Sequence, residues 1–239
     1  MNIIGINAFH ADSSACLIMD GQLISAVEEE RFNRIKHWAG FPIESIKYCL
    51  RESNLDLSDI DHFSINIDPK ANYFKKILFL IKHRPSLKLV FYRLKKKKKY
   101  NSIKELIDKE FKGSNFKGQI NNVEHHYAHL SSAFHVSPFE ESCILSVDGF
   151  GDFASTAWGF GKKNKITIDN KIHFPNSLGI FYQALTQFLG FKNYGDEYKI
   201  MGLAPYGKPT YVEQLKKILL IKSNGNFKLN LDYFKFHKE

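Results

Sequence analysis

Two segments of the chain repeat one pattern of short apolar runs separated by tight polar turns, and this pattern limits the possible folds most. In the first segment the apolar run Ile3–Ile6 leads through a polar turn to a second run, Ala15–Met19. Asp20-Gly21 follows as a hairpin signal, because both positions accept positive φ, and Gln22–Val27 returns. The pattern therefore predicts an antiparallel unit of three strands.

The second segment has the same order of features. Ile144–Phe150 ends in a small-residue turn, Thr156–Trp158 opens the next strand, and Gly161–Asn164 is the return turn. An internal echo of this kind predicts two related half-domains. We therefore expect an α/β protein with the duplicated, ribonuclease H-like plan of the actin-like ATPases, whose ligands lie in the cleft between the halves. We place the halves at residues 1–118 and 119–239, the second incomplete.

The remaining elements follow from periodicity and from turn residues. In the first half the sequence predicts a helix over Ile43–Arg51, a strand over Asp61–Ile67, and a largely helical, basic insertion within residues 70–117. In the second half the predicted elements are a strand (Gln119–Val123), helices (His125–Val136, Leu178–Leu189, Tyr211–Leu220), a Gly-rich loop (Gly190–Lys208) and a final strand (Phe227–Leu231).

The charge of the chain is uneven. The formal net charge is +9, and Lys70–Lys117, with the run Lys95–Lys99, holds most of the excess. Such a segment can attract nucleic acid, anionic lipid or phosphorylated substrates, although a solvated basic face is the simpler interpretation. Three widely spaced cysteines and no C-x-x-C pair indicate neither disulfides nor thiolate zinc, and a reducing cytoplasm fits best. No apolar run is long enough to span a membrane, so we expect no membrane-spanning segment and no membrane partner.

The strongest local motif is Glu124-His125-His126-Tyr127-Ala128-His129. His125 and His129 are four residues apart, so on a helix both imidazoles lie on one face, as chelation of a divalent metal requires. Asp148, at the end of the next predicted strand, could add a carboxylate oxygen, and two histidines with one carboxylate form a common metal shell. The alternative is that these histidines are capping or core residues.

Three further segments carry candidate site residues. His10, Asp12, Ser13 and Ser14 occupy the first polar turn, where His10 could act as a general base or could be an ordinary turn residue. The segment Glu28–His37 contains Arg31, Arg34, Lys36 and His37, which could cradle phosphate if it folds over the cleft, although mixed charge of this density is usually a solvated helix or loop. The Gly-rich segment Tyr194–Gly207 lacks the order of a P-loop but allows backbone amides to approach a ligand.

Five of these segments, taken in order, resemble the carbamoyltransferase family that includes nodulation protein U and the antibiotic-tailoring O-carbamoyltransferases. They are Gly5–Ser14, Glu28–Pro42, Val123–Phe134, Leu145–Gly151 and Tyr194–Gly207. The resemblance covers nearly the whole chain except the basic insertion.

The resemblance implies both a fold and a reaction. The amino-terminal domain of the family is similar to the universal tRNA-threonylcarbamoyl transferase, and a YrdC-like domain makes carbamoyl-adenylate from carbamoyl phosphate and ATP. The carbamoyl group then passes to a substrate hydroxyl on a sugar or another small molecule. A divalent metal, Fe²⁺ in the first place with manganese or zinc as alternatives, is implied at His125, His129 and Asp148.

The same resemblance assigns the other site residues. His10 and Lys36 correspond to catalytic positions near the carbamoyl-adenylate. We assign seven residues to cofactor binding: Asp12, Ser13, Arg34, Gly149, Gly151, Glu197 and Lys199.

Family members are longer than this chain, so we expect the last metal aspartate, most of the nucleotide pocket and the YrdC-like domain beyond Glu239. A separate chain could carry them. The other functions considered are a non-catalytic metal- or nucleotide-binding remnant, an actin-like phosphotransferase, and a nucleic-acid adaptor using Lys95–Lys99, the last disfavoured because no nucleic-acid-binding signature is present.

Overall fold

The computed structural model describes residues 1–91, 103–113 and 115–238. The chain divides into two compact units, and each is mixed α/β. The first unit comprises Met1–Pro69 and the described part of 94–124, and the second comprises the described part of 70–93 together with His125 and the residues after it. The predicted run Lys95–Lys99 lies outside the described residues.

A five-stranded mixed sheet forms the first unit. Its strands are β1 (Asn2–Asn7), β2 (Ser14–Met19), β3 (Gln22–Glu28), β4 (His62–Ile65) and β5 (Gln119–Asn122), in the order β3-β2-β1-β4-β5. Strand β2 pairs antiparallel with both β1 and β3, whereas β4 pairs parallel with β1 and β5 pairs parallel with β4. Asp20 and Gly21 both have positive φ in the β2–β3 turn, as their residue types predict.

Alternating burial along the strands places the core of the first unit. Ile4 and Ile6 of β1 and Phe63 and Ile65 of β4 are buried, since successive side chains of a strand point to opposite faces. The helix α2 (Ile43–Ser53) buries Ile46, Cys49 and Leu50 in the same cluster. The short helix α1 (Glu30–Asn33) follows β3, and the helix α4 (Ile103–Glu110) buries Ile103 and Ile107.

The second unit contains a three-stranded antiparallel meander. Its strands are β6 (Glu141–Gly151), β7 (Ala154–Lys162) and β8 (Lys165–His173). The helix α5 (His125–Phe134) packs Leu130 and Phe134 against Ile144 and Ala157 of this sheet. The same unit includes α3 (Tyr73–His83), a helical stretch over residues 87–91, α6 (Leu178–Phe188), α7 (Glu197–Leu203), α8 (Val212–Leu215) and the hairpin β9 (Leu219–Ile221) with β10 (Phe227–Leu229).

Two divisions of the chain differ from those that the sequence predicts. The predicted division after residue 118 falls instead after Glu124, because β5 pairs with β4 in the first sheet. The described residues of the basic insertion are shared between the units, with α3 in the second. Within the described residues no helix is long and apolar enough to cross a bilayer.

The predicted Gly-rich loop and the helix after it are partly wrong. Gly190–Lys208 contains α7 and a short 3₁₀ turn, Ala204–Tyr206, because the run Glu197–Met201 holds neither glycine nor proline. The predicted helix Tyr211–Leu220 is reduced to α8, and Leu219 and Leu220 instead pair as strand β9 with β10.

Candidate metal centre

Two imidazoles and one carboxylate meet at the end of β6. The Nε2 atom of His125 lies 2.8 Å from Oδ2 of Asp148, and the Nε2 atom of His129 lies 3.7 Å from the same oxygen. The two Nε2 atoms are 3.0 Å apart. This is the arrangement that the four-residue spacing predicts, because α5 begins at His125 and carries His129 one turn later on the same face.

The donor set fits a divalent cation. All three separations are shorter than twice the usual metal–donor bond length of about 2.1 Å, so one ion could contact all three atoms. His125 is buried, whereas half of the His129 side chain and a third of that of Asp148 are exposed. The site therefore has an inner wall and an open side, as a metal that also contacts a substrate requires.

Asp148 is held in its ionised form. Burial acts to raise the pKa of its carboxyl group, but hydrogen bonds from His125 and His129, the charge of His125 and a hydrogen bond from the Gly149 amide together lower the pKa well below its ordinary value. An ionised carboxylate is the form that binds a cation.

The neighbouring histidine of the motif has a different position. His126 is fully buried, and its Nδ1 lies 2.9 Å from the hydroxyl of Ser146 on β6. His126 is thus a core residue, as the alternative interpretation of these histidines predicts, whereas His125 and His129 face Asp148.

Asp152 fixes the start of α5. Its Oδ2 accepts a hydrogen bond from the backbone amide of His125 at 2.9 Å, which satisfies one of the amides that a helix leaves unpaired at its first turn. Asn72 in turn donates to the backbone carbonyl of Asp152 at 2.8 Å, and its Oδ1 lies 3.2 Å from Nε2 of His173. These contacts join α5, β8 and the start of α3 around the site.

Two glycines at the end of β6, which the sequence assigns to cofactor binding, have different surroundings. A Cβ atom at Gly151 would lie 2.1 Å from the ring of His125, so the absence of a side chain is what allows the imidazole to pack there. A Cβ atom at Gly149 would meet nothing within 4 Å, and its amide donates to Oδ1 of Asp148 at 2.6 Å. Gly151 therefore shapes the candidate metal site itself.

The turn that carries Asp148 is clamped by the start of α6. The hydroxyl of Ser177, which is fully buried, donates to the carbonyl oxygen of Gly149 at 2.5 Å and accepts from the amide of Ile180 as the helix cap. A Cβ atom at Gly179 would lie 2.6 Å from the Gly149 nitrogen, so the helix approaches this backbone closely.

The sequence interpretation missed Asp152 and Ser177. A signal existed for Ser177, since a serine directly before an amphipathic run is an N-cap pattern. None existed for Asp152, because its partner, the amide of His125, lies 27 residues earlier, at the start of the helix before β6.

The candidate residues of the first unit lie around one turn. Ser13 is buried, and its hydroxyl donates to the carbonyl oxygen of Gly40 at 2.8 Å, which is a structural contact. Asp12 has positive φ, and its Oδ1 lies 2.9 Å from Nδ1 of His37. His10 is half-buried in the same turn, and its carbonyl oxygen lies 3.3 Å from the Ser13 hydroxyl.

The basic candidates of this unit are on its surface. Arg34 ends α1 in the left-handed conformation, and both Arg34 and Lys36 are exposed. Lys36 directly precedes His37, which contacts Asp12, so this strand-to-helix connection and the first turn meet.

Glu197 and Lys199 lie on α7. The Nζ atom of Lys199 is 2.6 Å from Oδ1 of the buried Asp196, and this hydrogen bond lowers the pKa of the Asp196 carboxyl group and raises that of Lys199. Lys199 thus forms an ion pair with the N-cap residue of its own helix. Glu197 is half-buried in the first turn of α7.

Comparison with known proteins gives the family. Residues 2–239 match the family model described as carbamoyltransferase N-terminus. A Synechocystis protein is 38% identical over 98% of this chain and 40% of its own length, and the nodulation protein NolNO of Sinorhizobium fredii is 36% identical over 95% of this chain and 32% of its own. The nodulation protein NolO of Bradyrhizobium diazoefficiens is 40% identical over 46% of this chain.

The solved structure of YeaZ from Pseudomonas aeruginosa is also similar, at 10% identity, a TM-score of 0.40 and coverage of 73% of this chain and 68% of YeaZ. The chain spans two fifths or less of the length of the curated relatives named above. Because the family model matches almost every residue, the chain belongs to the carbamoyltransferase N-terminal family.

Proposed function

We propose that this chain supplies the metal-binding part of an O-carbamoyltransferase, in which a carbamoyl group passes from carbamoyl-adenylate to a hydroxyl of a sugar or another small-molecule alcohol. The observation that carries the proposal is the convergence of His125, His129 and Asp148 in a chain of this family.

The transfer replaces one bond to the carbamoyl carbon by another. The bond between that carbon and the AMP phosphate oxygen breaks, the acceptor oxygen forms a new bond, its proton leaves, and AMP departs. A divalent cation at His125, His129 and Asp148, Fe²⁺ by family resemblance with manganese or zinc as alternatives, would supply Lewis acidity toward the carbamoyl oxygen or the nucleotide phosphate.

The residues of the chain have distinct parts in this proposal. Asp148 and the two imidazoles provide the ligand wall, and the lowered pKa of Asp148 keeps it in the binding form. His10 takes the proton of the acceptor hydroxyl, and the exposed cations Arg34 and Lys36 offset phosphate charge.

Four of the predicted cofactor contacts have more specific roles. Ser13 holds the turn that carries His10 through its hydrogen bond to Gly40. The amide of Gly149 is already used by Asp148, and Gly151 makes room for the ring of His125. Lys199 reaches a nucleotide only by leaving Asp196. Asp12 and Glu197 stay candidates for nucleotide contact.

We further propose that the two units are the related halves of an actin-like fold. Each contains an antiparallel meander of three strands, β1–β3 and β6–β8, and in the first the parallel strands β4 and β5 extend the sheet beyond β1. We assign the synthesis of carbamoyl-adenylate from carbamoyl phosphate and ATP to a YrdC-like domain outside these 239 residues. We place the reaction in the cytoplasm, because three widely spaced cysteines fit a reducing compartment.

The metal part of the proposal is tested by metal retention. The chain is loaded anaerobically with Fe²⁺, Mn²⁺ or Zn²⁺ and desalted, and bound metal is measured by mass spectrometry. We expect His125→Ala, His129→Ala and Asp148→Asn to weaken retention by more than about tenfold, because each removes one donor. His135→Ala, an exposed histidine just beyond the same helix, is the matched control. Unchanged retention in all three variants contradicts the site.

The transfer part needs a complete enzyme. In a chimera, this chain replaces the matching amino-terminal segment of the Synechocystis relative, and radiolabelled carbamoyl phosphate is offered with ATP and a panel of sugar and polyketide alcohols. We expect a labelled product that depends on His125 and Asp148. A chimera that retains metal and consumes ATP but labels no alcohol would instead support the non-catalytic interpretation.

A further inference from the structure

The helix α3 presents an apolar face to solvent although it is firmly docked on its other side. Phe74, Leu78 and Ile81 have exposed fractions of 80%, 59% and 68%, and Leu87 and Phe91 in the following helical stretch reach 75% and 69%. The spacing of the first three is that of one helical face. An apolar stripe of this length is unusual on the surface of a soluble unit.

The opposite face of α3 is packed, so the exposure does not come from a loose helix. Phe79 contacts Phe153 and Phe174, with ring centroids 5.5 and 5.2 Å apart, and His83 contacts His237 at 5.5 Å. The amide of Ser86 donates to the carbonyl oxygen of Lys238 at 2.9 Å just beyond the helix. The stripe therefore points outward in a fixed orientation.

The sequence around the stripe carries charge of one sign. Between Asp68 and Glu105 there is no acidic residue, whereas thirteen lysines and arginines occur in this interval. On the described part, Lys75 and Lys82 are exposed on α3 beside the stripe, and Arg84 and Lys88 are exposed after it. Exposed large apolar side chains flanked by cations, in a sequence interval without acidic residues, form the pattern of a helix that lies in the surface of an anionic membrane.

We propose that the stripe Phe74, Leu78 and Ile81, with the exposed cations of residues 75–88 beside it, binds the chain to the surface of an anionic lipid bilayer. The apolar side chains enter the boundary between headgroups and acyl chains, and the flanking cations attract the lipid phosphates. The attachment is peripheral and independent of the metal site. It departs from the expectation of no membrane partner, which rests on the lack of an apolar run long enough to span a bilayer.

A nucleic acid would account for the cations but not for the stripe. Binding to phosphates alone needs no exposed Phe, Leu and Ile, and its strength falls steeply with salt. Lipid binding that includes buried apolar side chains keeps a part that salt does not remove. The apolar stripe is therefore the feature that favours an anionic bilayer over a nucleic acid as the partner.

The test is flotation of the whole chain with vesicles of phosphatidylcholine, alone or mixed with phosphatidylserine. We expect flotation with the mixed vesicles, and a partition at least about tenfold weaker for the triple variant Phe74→Ser, Leu78→Ser, Ile81→Ser. The matched control, Phe188→Ser with Met201→Ser and Tyr206→Ser, removes similarly exposed apolar side chains far along the sequence from residues 70–91 and should float like the wild type. Circular dichroism of both variants checks that they fold.

Three results would overturn the proposal. The first is no flotation with the mixed vesicles at low salt. The second is equal flotation of the wild type and the stripe variant, with binding lost at high salt, which indicates attraction to phosphate alone. The third is binding of single-stranded RNA, or self-association on a sizing column, that the stripe controls in the absence of any lipid binding.

Discussion

The Nε2 atoms of His125 and His129 lie 3.0 Å apart and face the same oxygen of Asp148. Hydrogen bonds alone satisfy these three ligand atoms poorly, because a ring N–H bridges only one pair of them at a time. A single cation accepts electron pairs from all three. The surrounding contacts hold these donors in place, and they yield predictions that separate site geometry from general stability.

Gly151 tests how closely the ring of His125 is packed. We expect Gly151→Ala to displace the imidazole, because the added carbon would lie 2.1 Å from it, and to weaken metal retention by about tenfold or more. The overpacking should lower the free energy of unfolding by about 1–3 kcal/mol. Gly149→Ala, two residues earlier in open space, is the matched control for both measurements. Equal metal retention in the two variants would contradict this prediction.

Substitution of Ser177 tests whether its hydrogen bond to Gly149 holds the turn that carries Asp148. We expect Ser177→Ala to weaken metal binding by about tenfold, because the Gly149 carbonyl loses its donor and the turn is freed. The lost helix cap should lower the free energy of unfolding by about 1 kcal/mol. Thr186→Ala on the same helix also removes a buried hydroxyl, one that donates to Tyr182, and should cost stability without changing metal affinity. Parallel losses of affinity in both variants would show only a stability effect.

Glu29 tests a long-range helix cap in the first unit. Its buried carboxylate accepts hydrogen bonds from the amides of Glu44 and Ser45 and from the Ser45 hydroxyl, at 3.1, 2.8 and 2.8 Å. We expect Glu29→Gln to lower the free energy of unfolding by about 2 kcal/mol, because an amide group cannot accept all three bonds. Hydrogen exchange in α2 should rise, and metal retention in the second unit should not change. Glu28→Gln is the control, and equal effects of the two changes would count against the cap.

His83 and His237 predict an acid-sensitive contact in the second unit. Burial lowers the pKa of both imidazoles. The charges of His237, Lys82 and Lys238 lower the pKa of His83 further, and Lys238 does the same for His237. Because the folded pKa values lie below the ordinary 6.5, the stability that these residues contribute is full above that pH and is lost as pH falls through the folded values. The thermal midpoint should therefore fall between pH 7 and 5.

Substitution separates this effect from general acid sensitivity. The double variant His83→Gln, His237→Gln should show a smaller fall in the thermal midpoint over the same range, whereas His135→Ala, on an exposed histidine, should follow the wild type. Hydrogen exchange of residues 235–238 at both pH values locates the change. An equal fall in all three proteins would exclude the contact as its cause.

Much of the local structure follows from local patterns. The alternation of Ile4 and Ile6, the Asp20-Gly21 turn and the four-residue spacing of His125 and His129 each act over a few residues, where propensity and periodicity decide the outcome. The order of five segments was enough to identify the family that the full-length match then showed. The short elements after Leu189 were predicted poorly, because brief helices and strands carry little periodic signal.

The sequence by itself determined the strands of both meanders, the shared helix face of the two histidines and the family. Only the tertiary structure decided that Asp152 starts α5, that Ser177 holds the turn of Asp148, that Gly151 makes room for an imidazole and that α3 turns an apolar face outward. The physical reason is distance along the chain. Each of these contacts or exposures depends on which surfaces pack together, and residues about 20 or more positions apart leave no periodic trace of their meeting.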